Sequence, residues 1–205
     1  MDNIKIFEND LPSEIDLSKE KVIGIDNEAL GLVLGRDPLT LVQLGLESKK
    51  FYLIKLNRKT YEAPNLIKIL SNPSTQFIMH YARQDLLWLK YHLNAKPKNI
   101  FCTKVASKLA RTASSMHGYK DLVKELCGKD ISKKEQQSDW GNPNLTEKQI
   151  SYAAQDTEYL FDIKEKLTTM LLREKRFDLF EKCMKVIPTL VDIEMSGFKL
   201  NTFEH

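Results

Sequence analysis

Residues 21–30 read KVIGIDNEAL, a β-branched run that ends on two carboxylates one residue apart, and this stretch decides the fold. Val22, Ile23 and Ile25 favour a pleated strand, whose period of two sends Asp26 and Glu28 to the same side. Two like charges so placed repel unless a cation joins them. Outward from it, LTLVQLGL (39–46) and FYLIKL (51–56) are further apolar runs separated by turn-forming residues, which predicts a three-stranded meander. A helix is predicted over 65–70, stopped by Ser71-Asn72-Pro73-Ser74 ahead of a fourth strand, QFIMH (76–80). Leu86, Leu89 and Leu93 stand at helical spacing over 85–93, and Ile100 to Thr103 gives a fifth short strand leading into a helix near 105–109. Short strands alternating with helices predict an α/β domain, with a central mixed five-stranded sheet flanked by helices.

The last third is helical. Thr146 and Gln149 form a T-x-x-Q capping box with Leu145 and Ile150 at the staple positions, so a long helix is predicted to start there and run to about Leu172. A second pattern (Phe177, Phe180, Met184, Ile187) is expected to break at Pro188 and resume up to Gly197. With 205 residues the chain is expected to be a single domain, with about 173–205 as a helical extension.

Composition narrows the partners. Hydrophobic residues at 42% and charged residues at 29% match a globular protein rather than a disordered or membrane one. Lys plus Arg less Asp plus Glu is 31 − 28 = +3, too small a field to hold a long polyanion by phosphate contacts alone. Cys102, Cys127 and Cys183 are odd in number and form no C-x-x-C pair, so reduced thiols are expected. No run approaches the roughly 18 apolar residues of a spanning helix, and MDNIKIFENDLP lacks a leader pattern, so a cytoplasmic protein without membrane contact is expected.

Four carboxylates from three segments carry the chemistry. Asp85 lies just after the fourth strand at the start of a helix, and Tyr152 and Asp156 are i and i+4 on the capped helix, one turn apart on one face. Taken singly, D-x-E reads as a turn, Asp85 as a cap and Y-x-x-x-D as an exposed pair; their order and context favour a site. Asp26, Glu28, Asp85 and Asp156 suit two divalent cations with hard oxygen ligands, about 3.5–4 Å apart, which clamp the attacking and leaving oxygens of a phosphoryl displacement. Tyr152 is then placed to orient or help deprotonate the attacking water.

These residues resemble the DEDD exonuclease superfamily with the RNase H-like (DnaQ-like) fold, in its tyrosine-containing branch, which includes ribonuclease D. The likeness is carried by GIDNEALGL, HYARQDLLWL, KVASKLART, HGYKDLVKEL, SDW and SYAAQDTEYL. The text around Asp130 to Trp140, in a chain with no added helical RNA-binding (HRDC-type) domain, is similar to the alphaproteobacterial nano-RNase C family. That resemblance implies a 3′–5′ exoribonuclease acting on short RNA, down to dinucleotides, in octameric rings. It implies Asp26, Glu28, Asp85 and Asp156 as ligands of two Mg²⁺ or Mn²⁺ ions and Tyr152 as the water-positioning tyrosine. Leu32, four after Glu28, matches a wedge leucine that stands between the two bases of a dinucleotide; the bland alternative is a loop or core leucine. His80 and Arg83 resemble residues that line the active site, Arg83 as a bidentate phosphate grip. Asn27 stands where Thr is usual, and Ala29 is smaller than in some relatives. Residues 187–200 (IPTLVDIEMSGFKL) also resemble the exit from the exonuclease domain of family A DNA polymerases. A tRNA-trimming or DNA-directed exonuclease is the same-class alternative, because these motifs meet the phosphodiester rather than the sugar. A non-catalytic scaffold is disfavoured by the complete set of acids. Trp140 is expected in a loop, stacked on a neighbour or buried, and Lys129, Lys133 and Lys134 are expected in solvent.

Overall fold

The computed structural model describes residues 3–203 with the exception of Lys133. One sheet is built from β1 (Ile4–Glu8), β2 (Val22–Ala29), β3 (Leu39–Gly45), β4 (Phe51–Lys55), β5 (Gln76–Met79) and β6 (Ile100–Cys102), in the order β1-β4-β3-β2-β5-β6. β2, β3 and β4 form the expected antiparallel meander, while β1 runs parallel to β4, β5 to β2 and β6 to β5. The five strands legible in the sequence are all present, and the count is corrected to six. β1 (IKIFE) alternates apolar and charged residues on an edge, half exposed, so it carries little of the apolar signal of an inner strand.

The helices are α1 (Pro64–Leu70), α2 (Ala82–Leu93), α3 (Thr103–Ala110), α4 (Tyr119–Leu122), which continues into a π-helical turn (Val123–Cys127), α5 (Glu147–Glu158), α6 (Leu160–Arg173) and α7 (Phe177–Met195). β3 is buried along its whole length, because both faces of the sheet are covered. Val42 and Leu44 join Ile54 in the main core, whereas Leu41, with Leu53 of β4, packs with Trp140, Tyr152 and Ala153 in a second, smaller cluster under α5. Successive β3 residues thus serve two cores, as the pleat dictates.

Close approach of α5 to the sheet depends on a cross-strand pair of glycines, Gly24 of β2 and Gly45 of β3. A Cβ on Gly45 would stand 2.5 Å from Thr157 Oγ1, and one on Gly24 3.2 Å from Leu160 Cδ1. Gly45 has no room for a side chain, Gly24 has it only if Leu160 yields by a few tenths of an ångström, and α5 ends against the bare backbone.

Two helix boundaries differ from expectation. The helix predicted to run from Thr146 to Leu172 is interrupted at Tyr159. Its cause is Tyr119, whose hydroxyl donates to the Gln155 carbonyl (2.9 Å) and accepts from the Tyr159 amide (3.1 Å), standing between two groups that would otherwise bond each other. Conversely, α7 runs unbroken through Pro188, where a break was expected. Phe180, Met184, Ile187 and Val191 bury one stripe of that helix, while Pro188 lies on its exposed side, so packing outweighs the roughly 3 kcal/mol that an interior proline costs. α7 is tied to α2 by ion pairs Arg83–Glu194 and Lys90–Asp192. Cys102 is buried, Cys127 and Cys183 half-buried, and all three are free thiols. No helix among the described residues is long and apolar enough to cross a membrane.

Candidate active site

β2 brings the first two acids. Asp26 lies opposite Gln43 of β3, and the register shifts by a bulge between Glu28 and Ala29, where the strand leaves the sheet and turns into the 30–38 loop. Asn27, of opposite parity, donates from Nδ2 to the backbone carbonyl of Asp85 at 3.4 Å and so ties β2 to α2 at the wall of the cleft. Asp85 sits in the first turn of α2, buried, after Tyr81 has turned the chain in the left-handed conformation (φ 68°). α5 brings the rest. The expected capping box is present, with the Gln149 amide donating to Thr146 Oγ1 (3.2 Å) and the Gln149 side chain accepting from the Thr146 amide (3.0 Å). Gln149 Nε2 also donates to Ser138 Oγ (3.1 Å) and the Asp139 carbonyl (3.0 Å), fastening the 138–140 loop to the helix start. That loop lays Trp140 against Tyr152, ring centroids 5.9 Å apart at 42°. Trp140 is buried within this chain, and Lys129 and Lys134 are exposed, while Lys133 lies outside the described residues.

The carboxylates converge. Oxygens of Asp26, Glu28 and Asp156 lie within 4.8 Å of one another, and Asp85 is close enough to feel the charges of Asp26 and Asp156. Each of Asp26, Glu28 and Asp156 keeps part of its surface open to the cleft, but protein surrounds them otherwise. Burial pushes Asp26 up to about 7. Glu28 is pushed up to about 10, by burial first and then by the charges of Asp26, Asp156 and Asp85. Asp85 is raised well above the carboxylate range, again mainly by burial and then by Asp26. Asp85 Oδ2 is buried with no hydrogen-bond partner, an arrangement that is expensive in itself. An orphaned carboxylate oxygen beside three crowded carboxylates fits a divalent cation, and all four donors are hard oxygens of the type such ions take.

Tyr152 is buried and its hydroxyl donates to Asp156. Burial first, and the surrounding carboxylates second, raise its pKa far above the ordinary phenol value, so the proton stays on the oxygen.

The acids stand in a cleft of about 890 Å³ whose walls include Leu32, His80, Lys104, Tyr119 and Trp140. Leu32 is 81% exposed at its mouth. His80 Nδ1 lies 3.0 Å from Thr103 Oγ1, and its ring is tilted against Tyr119 at 5.7 Å. Arg83 is not in the cleft wall: its guanidinium pairs with Glu194 and Tyr81, on the side of α2 that meets α7. Reading the sequence alone missed Gln43, buried with both amide atoms unpartnered opposite Asp26, and the helix-parting role of Tyr119. The HGYKDL text that holds Tyr119 was visible, but its partners Gln155 and Tyr159 lie 36 and 40 residues on.

Comparison with known proteins agrees with this geometry. Residues 8–172 match the family model of the 3′–5′ exonuclease domain. The ribonuclease D of Xanthomonas oryzae pv. oryzae is 30% identical over 183 residues, 89% of this chain and 50% of the relative. That of Gluconacetobacter diazotrophicus is 34% identical over 79% of this chain and 41% of the relative. The chain thus spans half or less of the length of these two curated relatives. The structure of Brucella melitensis NrnC is similar from end to end, with TM-score 0.94 and 37% identity over 99% of each chain. That protein has also been solved with bound Mg²⁺ and bound to pGG. With its match over most of the length, its sheet order and its convergent acids, the chain belongs to the 3′–5′ exonuclease family, of the ribonuclease D and NrnC type.

Proposed function

We propose that the protein is a metal-dependent 3′–5′ exoribonuclease that hydrolyses short RNA, dinucleotides foremost, to 5′-mononucleotides, working in the cytoplasm as a homo-oligomer, with an octameric ring as the expected form. The observation that carries this reading is the meeting of Asp26, Glu28 and Asp156 within 4.8 Å, beside the orphaned Asp85 oxygen and under the Tyr152 hydroxyl. The single 3′–5′ exonuclease domain expected from the sequence, with α7 as its extension, is part of the same proposal. Asp26, Glu28, Asp85 and Asp156 would hold two divalent ions, Mg²⁺ or Mn²⁺, which supply a water nucleophile at neutral pH and offset charge on the attacking and leaving oxygens. The Tyr152 hydroxyl, one helical turn from Asp156, is placed to orient or help deprotonate the attacking water. Water adds in line to the terminal phosphorus, the bond to the 3′-oxygen breaks, and a 5′-mononucleotide leaves while the shortened strand regains its 3′-hydroxyl. Leu32 and His80 line the substrate side of the cleft, where Leu32 can stand between two bases. Support for short RNA comes from the pGG complex of the Brucella relative and from the small net charge of +3. Arg83, paired with Glu194 and beside Tyr81 of the cleft wall, would grip a phosphate with the donors that this pair leaves over.

A time course on 5′-labelled RNAs of about two, five and twenty nucleotides and matched DNA, with Mg²⁺ or Mn²⁺, tests the proposal beside an Asp26→Asn control. Fastest loss of the dinucleotide with a dead control supports it. Preference for long RNA or for DNA removes the short-substrate claim and favours the trimming or DNA-directed alternative. No cleavage of any substrate would leave only a binding module.

A further inference from the structure

The 30–38 loop that carries Leu32 is held by one carboxylate. Asp37 is buried, unlike most of its neighbours in the loop, and its Oδ2 accepts from the Val33 amide at 2.9 Å, with the Leu32 amide also turned toward it. Arg36 grips the same group with both arms of its fork, Nε to Oδ1 at 2.6 Å and Nη2 to Oδ2 at 2.7 Å. Backbone bonds from Leu30 to the Pro38 carbonyl (3.0 Å) and from Asp37 to the Val33 carbonyl (2.9 Å) close the loop at its base and its turn. The carboxylate occupies the space beside Gly31, where a Cβ would stand 2.1 Å from Asp37 Oδ2. His92 of α2, the helix of Asp85, is stacked on Trp88 at 5.4 Å and lies beside the Asp37 backbone. These contacts hold the carboxyl down to about 2, with Arg36 the largest cause, so the clasp is charged throughout the working range.

We propose that Asp37 is a positioning residue for substrate length. Its carboxylate fixes the loop so that Leu32 projects at the cleft mouth, and this placement sets the preference for substrates with two bases. The inference rests on the dinucleotide reading above, which assigns Leu32 its contact. Leu32 is 81% exposed and Val33 47% exposed, so packing does not hold the tip. An exposed leucine can grip a base firmly only if its backbone is already ordered, since ordering a loop on binding weakens affinity by the fraction of time it is correctly placed.

The test is steady-state hydrolysis of pGG and of a nucleoside 5′-(p-nitrophenyl phosphate), which has the same scissile group and only one base, by the full-length protein with Mg²⁺. Losing charged hydrogen bonds in Asp37→Asn is expected to lower the ratio of kcat/KM for pGG to that for the one-base ester about tenfold, through KM. Arg36→Ala removes an exposed partner without disturbing the core and moves the ratio the same way, about threefold, so the test stands even if Asp37→Asn fails to fold. Leu32→Ala lowers the ratio too, and the Leu32→Ala/Asp37→Asn double variant falls no further, because Asp37 acts through Leu32. An unchanged ratio in Arg36→Ala and in folded Asp37→Asn, or additive losses in the double variant, overturns the role of Asp37 while leaving the dinucleotide reading intact. An unchanged ratio in Leu32→Ala removes Leu32 from the base contact and overturns the proposal, whereas the dinucleotide reading itself falls only if wild-type protein prefers long RNA or DNA.

Discussion

Burial first, and the charges of Asp26, Asp156 and Asp85 second, push Glu28 up to about 10 from its ordinary 4.5. From pH 4.5 to 10 the folded, metal-free protein therefore binds more protons than the unfolded chain, so its stability falls as pH rises through that window. Asp26, raised to about 7, adds to the same slope at its lower end. Metal binding must displace these protons, so Mg²⁺ affinity rises with pH from about pH 6 to about pH 10 and protons are released, which calorimetry in buffers of different ionisation enthalpy reads directly. Asp85→Asn is expected to act in opposite directions on stability and catalysis. It removes a buried ionisable group crowded by Asp26 and Asp156 and raises the melting temperature of the metal-free protein by roughly 3 °C. It also takes away a ligand and lowers kcat by about 10³. Melting curves beside kinetics check both, and a variant both active and unchanged in stability would remove Asp85 from the site. The acids were legible because their spacing is local: D-x-E on one strand, Y-x-x-x-D on one helix. Gln43 and Asp37 were not, since the importance of a buried amide or of a loop carboxylate exists only in what the chain folds against it.

Among the elements, the junction of α5 and α6 depends most on a single side chain. The Tyr119 hydroxyl occupies the helical hydrogen bond from Tyr159 to Gln155, the residue before Asp156. Tyr119→Phe lets that amide and carbonyl approach each other, straightens the junction and turns Asp156 away from Asp26 and Glu28. We expect kcat to fall about tenfold, with a loss of roughly 3 °C in melting temperature, measured in one preparation. An unchanged kcat would mean that the Gly24–Gly45 contact with Thr157 alone fixes Asp156. No single-residue signal in SYAAQDTEYLFDIK could have announced this break, for each residue in it is compatible with helix and the interruption comes from the side. The continuity of α7 was hidden for the reverse reason, because its buried stripe overrides the proline. β1 was hidden by its place on the edge of the sheet.

At the scale of the whole molecule, a net charge of +3 leaves the cleft to recognise its substrate at close range. A dinucleotide with a 5′-phosphate offers two phosphates, so log kcat/KM against log salt should fall with a slope no steeper than about −1.4. Hydrolysis rates across a salt series read this slope, and a much steeper one would point to an extended basic track. The bond from Arg83 to Glu194 spans 111 residues and that from Lys90 to Asp192 spans 102, both ending on α7. All four acids and Tyr152 have been synthesised by the time a ribosome reaches Arg173, within the stretch that matches the exonuclease family model. Yet the helix that carries Asp85 gains its outer brace only when α7 has emerged and docked. The helix that carries Asp85 thus takes its outer brace from a segment beyond the stretch that matches the exonuclease family model, so cutting α7 away should loosen Asp85 while every acid stays in the sequence.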